Sequence, residues 1–422
     1  MWLIKHSPAL FTDLYELTMA QVYFQKKMHG PAYFEVTVRR LPEHWGFFVM
    51  AGLAEVASYL HEFRFDEEDI EYLRSTRIFS DDFLQYLSQL RPQVKMRALP
   101  EGTVFFPQEP IFEVAGPLID AQILESYILN ILGFSIIQAT LAARTRIAAK
   151  DKVVVDFGLR RCQGPVASLR SGRAAQMAGF AATSNVFAAK AFDFAPTGTM
   201  AHSFVQIHDS EEKSFRNFAE AYGDNAILLV DTYDCIEGIQ TAAKVARQLH
   251  QQKGIKIKGI RLDSGDLVSL SQFAHKHFRD NGVSFLKIFA SGDLDEFKIH
   301  DLLEAGAPID GFGIGTRFAV SRFAPAIEIV YKIVQYGDKG VFKQSPDKQI
   351  RPGRKTITRI KSKHYKKDIV SALRSQPDDL LEPFESAELM QKIQQRLSGE
   401  LAALDDSIKA IRNPGKYPVE FV

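Results

Sequence analysis

Cysteine is almost absent from this 422-residue chain: there are two, Cys162 and Cys235, and neither belongs to a Cys-x-x-Cys pair. That excludes a disulfide framework and a thiolate zinc site, and makes a reducing cytoplasm the expected compartment. Cys162 follows Arg160 and Arg161, which favour a thiolate, but a small semi-buried residue is the expected role. Net charge is absent too. The 52 Lys and Arg against 51 Asp and Glu leave +1, so no global field draws the chain to nucleic acid or membrane, and any anion site must arise from local placement. The start, Met1 to Pro8, lacks the basic segment and apolar core of a signal peptide, and no stretch approaches the ~20 apolar residues of a bilayer span. No internal repeat or low-complexity tract occurs. What is present is ordinary for a globular protein, 46% hydrophobic and 24% charged, and long enough for two or three domains.

The pattern changes twice along the chain. Thr12 or Asp13 can cap a helix to about Gln25, and Gly30-Pro31 stops it. Ala32–Arg39 alternates as a strand. A helix through Leu53–Leu60 follows, then short strands at Val94–Ala98, Thr103–Phe106 and Ile111–Val114 that can join Ala32–Arg39 in an antiparallel sheet. Ile119–Lys150 is helical and nearly uncharged until Arg144, as a helix buried on many sides is. From Val153 the strands become continuous apolar runs: Val153–Phe157, Ala226–Asp231, Ile257–Asp263, Phe285–Phe289 and Ile309–Gly313. Helices separate them, including one expected over Arg170–Ala191. The repeat of roughly thirty residues suits a (β/α) barrel, with a doubly wound open sheet as the rival. The barrel is preferred because polar residues end nearly every strand. After Ala324 the repeat is lost: Ile327–Gln335 and Lys355–Ile360 read as strands, Glu385–Leu404 as a helix and the end as an extended tail. The expected architecture is an irregular TIM-like α/β barrel over 116–324, with 1–115 and 325–422 forming a second α/β domain, an open sandwich.

The strand ends carry the chemistry. Ser291-Gly292-Asp293 and Gly313-Ile314-Gly315-Thr316 let backbone N–H groups approach a phosphate and add hydroxyl donors; such loops in late barrel positions often hold phosphate. Tight turns chosen for packing are the alternative. In Arg261-Leu262-Asp263 the two charged residues alternate on one strand face. Arg261 can grip a carboxylate in a fork, and Asp263 can hold ribose hydroxyls or, with Asp293 as a second candidate, a pyrophosphate-bound Mg²⁺. An internal Arg261–Asp263 ion pair is the alternative. Either Arg160 or Arg161 can meet a phosphate. His202, in Gly198-Thr199-Met200-Ala201-His202-Ser203, can serve as base or phosphate acceptor, with Asp231 placed to orient its ring.

Taken together, Thr12-Asp13-Leu14-Tyr15-Glu16-Leu17-Thr18-Met19, Asp156-Phe157-Gly158-Leu159-Arg160-Arg161, the His202 segment and Arg261–Asp266 closely resemble nicotinate phosphoribosyltransferases over most of the chain. The resemblance implies that nicotinate and phosphoribosyl pyrophosphate give nicotinate mononucleotide and pyrophosphate, with Mg²⁺ and with ATP cleavage coupled through phosphorylation of His202. It implies that Tyr15 stacks on the pyridine ring, commonly across a homodimer interface, that Thr199 contacts the base, that Arg261 meets its carboxylate, and that Thr316 contacts the phosphoribosyl donor. Two features depart from the family. Cys162 stands where Ala is common, and the loop Ser345–Lys355 follows the family's basic Pro-Gly loop only loosely, so Lys348 and Lys355 are assigned no donor contact. The nicotinamide-using relatives have Tyr and Gly where this chain has Leu159 and Arg161. Quinolinate phosphoribosyltransferases are shorter and lack the histidine motif. A non-catalytic nucleotide sensor on the same scaffold is a further rival, against which the intact His202, Arg261, Asp263 and glycine loops argue.

Overall fold

The computed structural model describes residues 8–343, 351–373, 378–384 and 386–422; Lys348 lies outside them. The chain divides into two compact units, one taking it up to Thr140 and again from Ala326, the other Leu141–Pro325. Residues 116–140, expected with the barrel, therefore fall in the first unit. The reason is local: the strand Phe112–Pro117 pairs antiparallel with Pro31–Val38, and Leu118–Gln122 turns directly off it.

In the first unit Pro31–Val38 lies near the middle of a six-stranded antiparallel sheet, between Ile329–Tyr336 and Phe112–Pro117, and Lys95–Ala98 follows outward. Ala32, Phe34, Val36 and Val38 are buried, as strand alternation requires. The expected strand at Thr103–Phe106 shortens to Val104–Phe105 and pairs with Phe48–Val49 in a separate ribbon. The tail ends as a strand, Val419–Phe421, parallel to Tyr365–Ala372. Lys355 is buried, donating to Glu35 Oε2 at 2.8 Å and to the carbonyls of Arg351 and Gly353; its role is to hold this unit together. Leu118–Ala149 is apolar and long enough to cross a bilayer, yet 72% of its most apolar window is buried within the protein, so it is a core helix.

The second unit is built on six parallel strands: β1 (Val153–Asp156), β2 (Ala182–Thr183), β3 (Ile227–Leu229), β4 (Gly259–Leu262), β5 (Lys287–Ala290) and β6 (Gly311–Ile314). Their order is β2-β1-β6-β5-β4-β3. Read as a ring, this is chain order throughout, with the first strand paired to the last. A doubly wound sheet would instead reverse at a switch point. The ladder is not closed between β2 and β3, so the sheet is a curled half-barrel of TIM type rather than a complete ring. The helix expected over Arg170–Ala191 is really Pro165–Met177, strand β2 and Val186–Ala191. Gly179, at φ +76°, makes the turn between the first helix and a strand of two residues.

Register aligns the carboxyl ends. Leu262 pairs with Ala290, Phe289 with Gly311, and Ile314 with Asp156. The residues that follow each strand therefore emerge at one edge. Helices leave that edge with side-chain caps: Asp234 accepts from Glu237 N, Asp266 from Val268 N and Ser269 N, and Asp295 from Lys298 N, satisfying donors that a helix start leaves open.

Candidate active site

The loops at this edge enclose a cleft of about 640 Å³. It is lined by Phe157, Arg160 and Arg161 after β1, by Ser184 and Gly198–His202 after β2, by Arg261 and Asp263 at the end of β4, by Ser291–Asp293 after β5, and by Gly313, Gly315 and Thr316 at β6. Every expected site residue lies here except Asp231, which borders the cleft, and Tyr15, which belongs to the other unit. Tyr15 is in helix Leu14–Gln25 and is 47% exposed.

Arg261 leans over the ring of Phe157, its guanidinium carbon 5.9 Å from the centroid. It donates to Thr199 Oγ1 at 2.7 Å and to Met200 O at 3.3 Å, while its buried Nε has no partner among the described residues. Burial lowers its pKa, with Asp263 and Asp231 opposing; an arginine stays charged regardless. The alternative of a direct Arg261–Asp263 pair is not realised, because Asp263 Oδ1 accepts a short hydrogen bond from Ser291 Oγ. A planar cation held by a hydroxyl beside an aromatic ring can take a flat carboxylate.

Two glycines let the backbone come close. A Cβ on Gly292, at φ +86°, would lie 1.8 Å from the Asp263 carbonyl oxygen, and one on Gly313 would lie 2.4 Å from the Phe157 ring. Gly315 and Thr316 begin a short helical turn, Thr316–Ala319. Asp293 is committed elsewhere: Arg317 donates to it through Nε at 2.6 Å and through Nη2, and Lys298 at 3.2 Å. The Arg317 hydrogen bond holds its pKa well below the usual carboxylate range. Arg317 also reaches Asp295 at 2.7 Å, so this ion-pair cluster braces the Ser291–Asp293 loop.

His202 opens the helical turn His202–Gln206. Its Nδ1 lies 3.1 Å from Thr232 Oγ1, so the group that holds the ring is Thr232, one residue beyond the expected Asp231. Asp231 Oδ2 accepts from Ser264 Oγ at 2.6 Å, and its Oδ1 is buried without a partner among the described residues. Ligand atoms of His202, Asp231 and Asp263 all lie within 4.8 Å of one another. The two carboxylates and the orphaned oxygen suit a hard divalent cation such as Mg²⁺, for which the imidazole is a poorer ligand. Asp293 is not in this group. Nearby, burial and then Glu237, Asp231 and Asp234 push the Glu211 carboxyl up to about 7.

The loop bearing Arg160 and Arg161 is a single turn, Leu159–Arg161, with both arginines exposed. Buried Asp156 anchors it, accepting from Gly158 N and Thr183 Oγ1, each at 2.7 Å. Burial pushes the Cys162 thiol up to about 11, so no thiolate nucleophile forms there. Phe157, Ser184, Thr232 and Arg317 were not singled out from the sequence. Phe157 stands inside the Asp156–Arg161 motif and Thr232 directly follows the Ala226–Asp231 strand; Ser184 and Arg317 have no sequence signal beyond their neighbours.

Arginines, glycine-opened loops, hydroxyls and a carboxylate pair at the carboxyl edge of a TIM-type half-barrel are the equipment of a phosphosugar-handling class of enzyme, with a guanidinium able to take a carboxylate beside loops able to take a phosphate. The comparisons are specific. Residues 10–133 match the nicotinate phosphoribosyltransferase (NAPRTase) N-terminal domain, and 153–368 match the nicotinate phosphoribosyltransferase (NAPRTase) family. The chain belongs to the nicotinate phosphoribosyltransferase family. It is 44% identical over 355 residues to nicotinate phosphoribosyltransferase pncB2 of Mycobacterium tuberculosis, covering 84% of this chain and 76% of that one. It is 35% identical to the Bacillus subtilis nicotinate phosphoribosyltransferase over 98% of this chain and 93% of the other. The crystal structure of human nicotinic acid phosphoribosyltransferase is similar at a TM-score of 0.84, with 25% identity and 97% of each chain covered.

Proposed function

We propose that this protein joins nicotinate to phosphoribosyl pyrophosphate, yielding nicotinate mononucleotide and pyrophosphate, the first step of NAD synthesis from nicotinate. The observation that carries the reading is the Arg261–Thr199 pair at one side of a cleft whose other side is the two glycine loops, in a chain of this family. Arg261 takes the nicotinate carboxylate and Phe157 flanks the ring. The pyridine nitrogen forms a bond to the anomeric carbon as the bond to pyrophosphate breaks, and the electron pair leaves with pyrophosphate. No side-chain nucleophile acts on the sugar. Arg160 or Arg161 meets the leaving pyrophosphate, Ser291, Gly292, Gly313, Gly315 and Thr316 receive the phosphoribosyl phosphate, and Asp263 orients the ribose. Asp231 and Asp263 would hold Mg²⁺, which when bound supplies charge stabilisation for pyrophosphate.

ATP is coupled through His202: the γ-phosphoryl of ATP passes to a ring nitrogen as ADP departs, the added negative charge would help hold Mg²⁺ beside the donor and so favour donor binding, and water then releases phosphate from the histidine to restore the free ring. Tyr15 covers the base from a second copy of the chain. Phe11 just ahead of its helix and Leu14, Tyr15, Met19 and Val22 along it are exposed, and Leu159, Val186 and Phe187 are exposed by the loops of the cleft; apolar faces of this kind fit a homodimer. The free thiols Cys162 and Cys235 fit a cytoplasmic location.

Incubation with γ-labelled ATP followed by acid and alkali treatment tests the coupling. The expected product is an acid-labile phosphate that the His202→Ala enzyme lacks, along with loss of ATP stimulation and a residual ATP-independent reaction. If His202→Ala still hydrolyses ATP in step with nucleotide formation, the coupling site is elsewhere.

A further inference from the structure

Helix Leu14–Gln25 turns Tyr15 outward and Glu16 inward. Glu16 is fully buried, and neither of its carboxyl oxygens has a well-formed hydrogen bond among the described residues, although the Tyr15 hydroxyl lies beside them. A buried carboxylate without donors is costly, whereas a buried neutral acid is far less so. The surroundings give an ionised Glu16 little help. Glu125 faces it from the start of helix Glu125–Ala149, and Asp13 from the turn ahead of its own helix. Tyr59, from helix Leu53–Glu62, is also buried and its hydroxyl is unpartnered among the described residues. Tyr331 and Lys332 face it from strand Ile329–Tyr336, and Tyr23 from about two turns further along its own helix. Lys332 is the one cation in this set, and its Nζ lies 3.6 Å from Glu125. Burial first, then Glu125, push the Glu16 carboxyl up to about 8. Burial likewise raises Glu125.

The same carboxyls press on Tyr15, whose hydroxyl adjoins both Glu16 and Glu125. The helix start is pinned at one further point, where Ser126 Oγ donates to Asp13 Oδ2 at 2.6 Å and accepts from Asp13 N at 3.1 Å. We propose that Glu16 is a positioning residue for Tyr15, seating the first turn of the helix as a neutral acid and releasing it when its proton is lost. Above neutral pH a second buried negative charge would face Glu125, and outward movement of the first turn relieves it, carrying Tyr15 with it. This rests on the reading that Tyr15 packs on the pyridine ring. The consequence is a pH-dependent base site: the folded value lies above the ordinary one, so the seated form holds its proton below about 8 and loses it as pH rises through that value.

The test is the pH dependence of KM for nicotinate, measured on the full-length enzyme with phosphoribosyl pyrophosphate, alongside KM for the donor. In the native enzyme KM for nicotinate should rise about tenfold from pH 7 to pH 9, as binding by one protonation state with a value of about 8 requires, with no matching rise for the donor. Glu16→Gln, which cannot ionise, should flatten that rise. The same alkaline rise in Glu16→Gln, or none in the native enzyme, overturns the proposal. Should Glu16→Gln fail to fold, Glu16→Met replaces it. Carboxyl ¹³C NMR of glutamate-labelled native protein gives a readout independent of activity: a resonance titrating near pH 8 that the variant lacks is expected, distinct from the one removed by Glu211→Gln. Absence of a variant-sensitive resonance overturns the proposal. Tyr15→Ala separates the two readings. An unchanged nicotinate KM in Tyr15→Ala at pH 7 defeats the base-site reading itself, whereas a raised KM there with an unaltered alkaline limb in Glu16→Gln defeats only the role of Glu16.

Discussion

Removing the Arg261 guanidinium leaves the nicotinate carboxylate of the proposed complex without its charged partner, and leaves Thr199 Oγ1 without its donor. Arg261→Ala should weaken use of nicotinate by about 2–4 kcal/mol in kcat/KM, and use of nicotinamide far less. Steady-state kinetics with both bases checks this; an equal loss for the two would make Arg261 a general structural residue. At this scale much of the site was legible. Arg261, Asp263, His202 and the strand-end serine and glycines stood out because charged and small residues interrupt apolar runs there. What was not legible were partners fixed by distance. Asp231 is a candidate to orient His202 because it ends a strand, and the fold brings the two within 4.8 Å, but Asp231 Oδ2 is turned to Ser264 and it is the hydroxyl of Thr232 that meets the ring at Nδ1. Asp293 looked like a cation ligand because Arg317, 24 positions away, brings its countercharge only through the fold.

The strand-end loops work as elements because two of them touch. β4 and β5 are adjacent, Ser291 N donates to Leu262 O at 2.8 Å, and Gly292 passes against the Asp263 carbonyl. A side chain at Gly292 would meet that carbonyl and would also require a left-handed backbone. Gly292→Ala should therefore cost about 1–3 kcal/mol of stability and raise KM for the phosphoribosyl donor more than for nicotinate. Thermal denaturation and paired KM measurements check both parts; a native-like melting temperature and donor KM would show that the loop can relax. Elements with strong periodicity or long apolar runs were legible, β1 and β3 to β6 among them. Strand β2 was not, since two residues, Ala182-Thr183, carry no period and stand inside an alanine-rich stretch that favours helix. The unit boundary was missed for a related reason: Gly116-Pro117 reads as a break, yet both residues continue a strand that pairs with Ala32 and Pro31.

On the scale of the whole molecule, ring order of the strands collects residues from Phe157 to Thr316 at one cleft, and the proposed homodimer adds Tyr15 from a second copy. Mixing an impaired Tyr15→Ala chain with an impaired Arg261→Ala chain, at nicotinate too dilute for either alone, should restore part of the activity, because hybrid dimers contain one site with both residues intact. No recovery in verified heterodimers would mean that Tyr15 serves its own chain or no site at all. Chain order of the strands was legible as a repeat of strand and helix. The open ladder between β2 and β3 was not, because closure depends on strand length and tilt that no residue pattern encodes. The most direct measurement of the central claim is product formation by the native enzyme from phosphoribosyl pyrophosphate with nicotinate or nicotinamide, each with and without ATP. The account predicts nicotinate mononucleotide with one pyrophosphate per turnover, stimulation by ATP with release of ADP, and little product from nicotinamide. Equal or preferred use of nicotinamide, or no pyrophosphate from nicotinate, would contradict it.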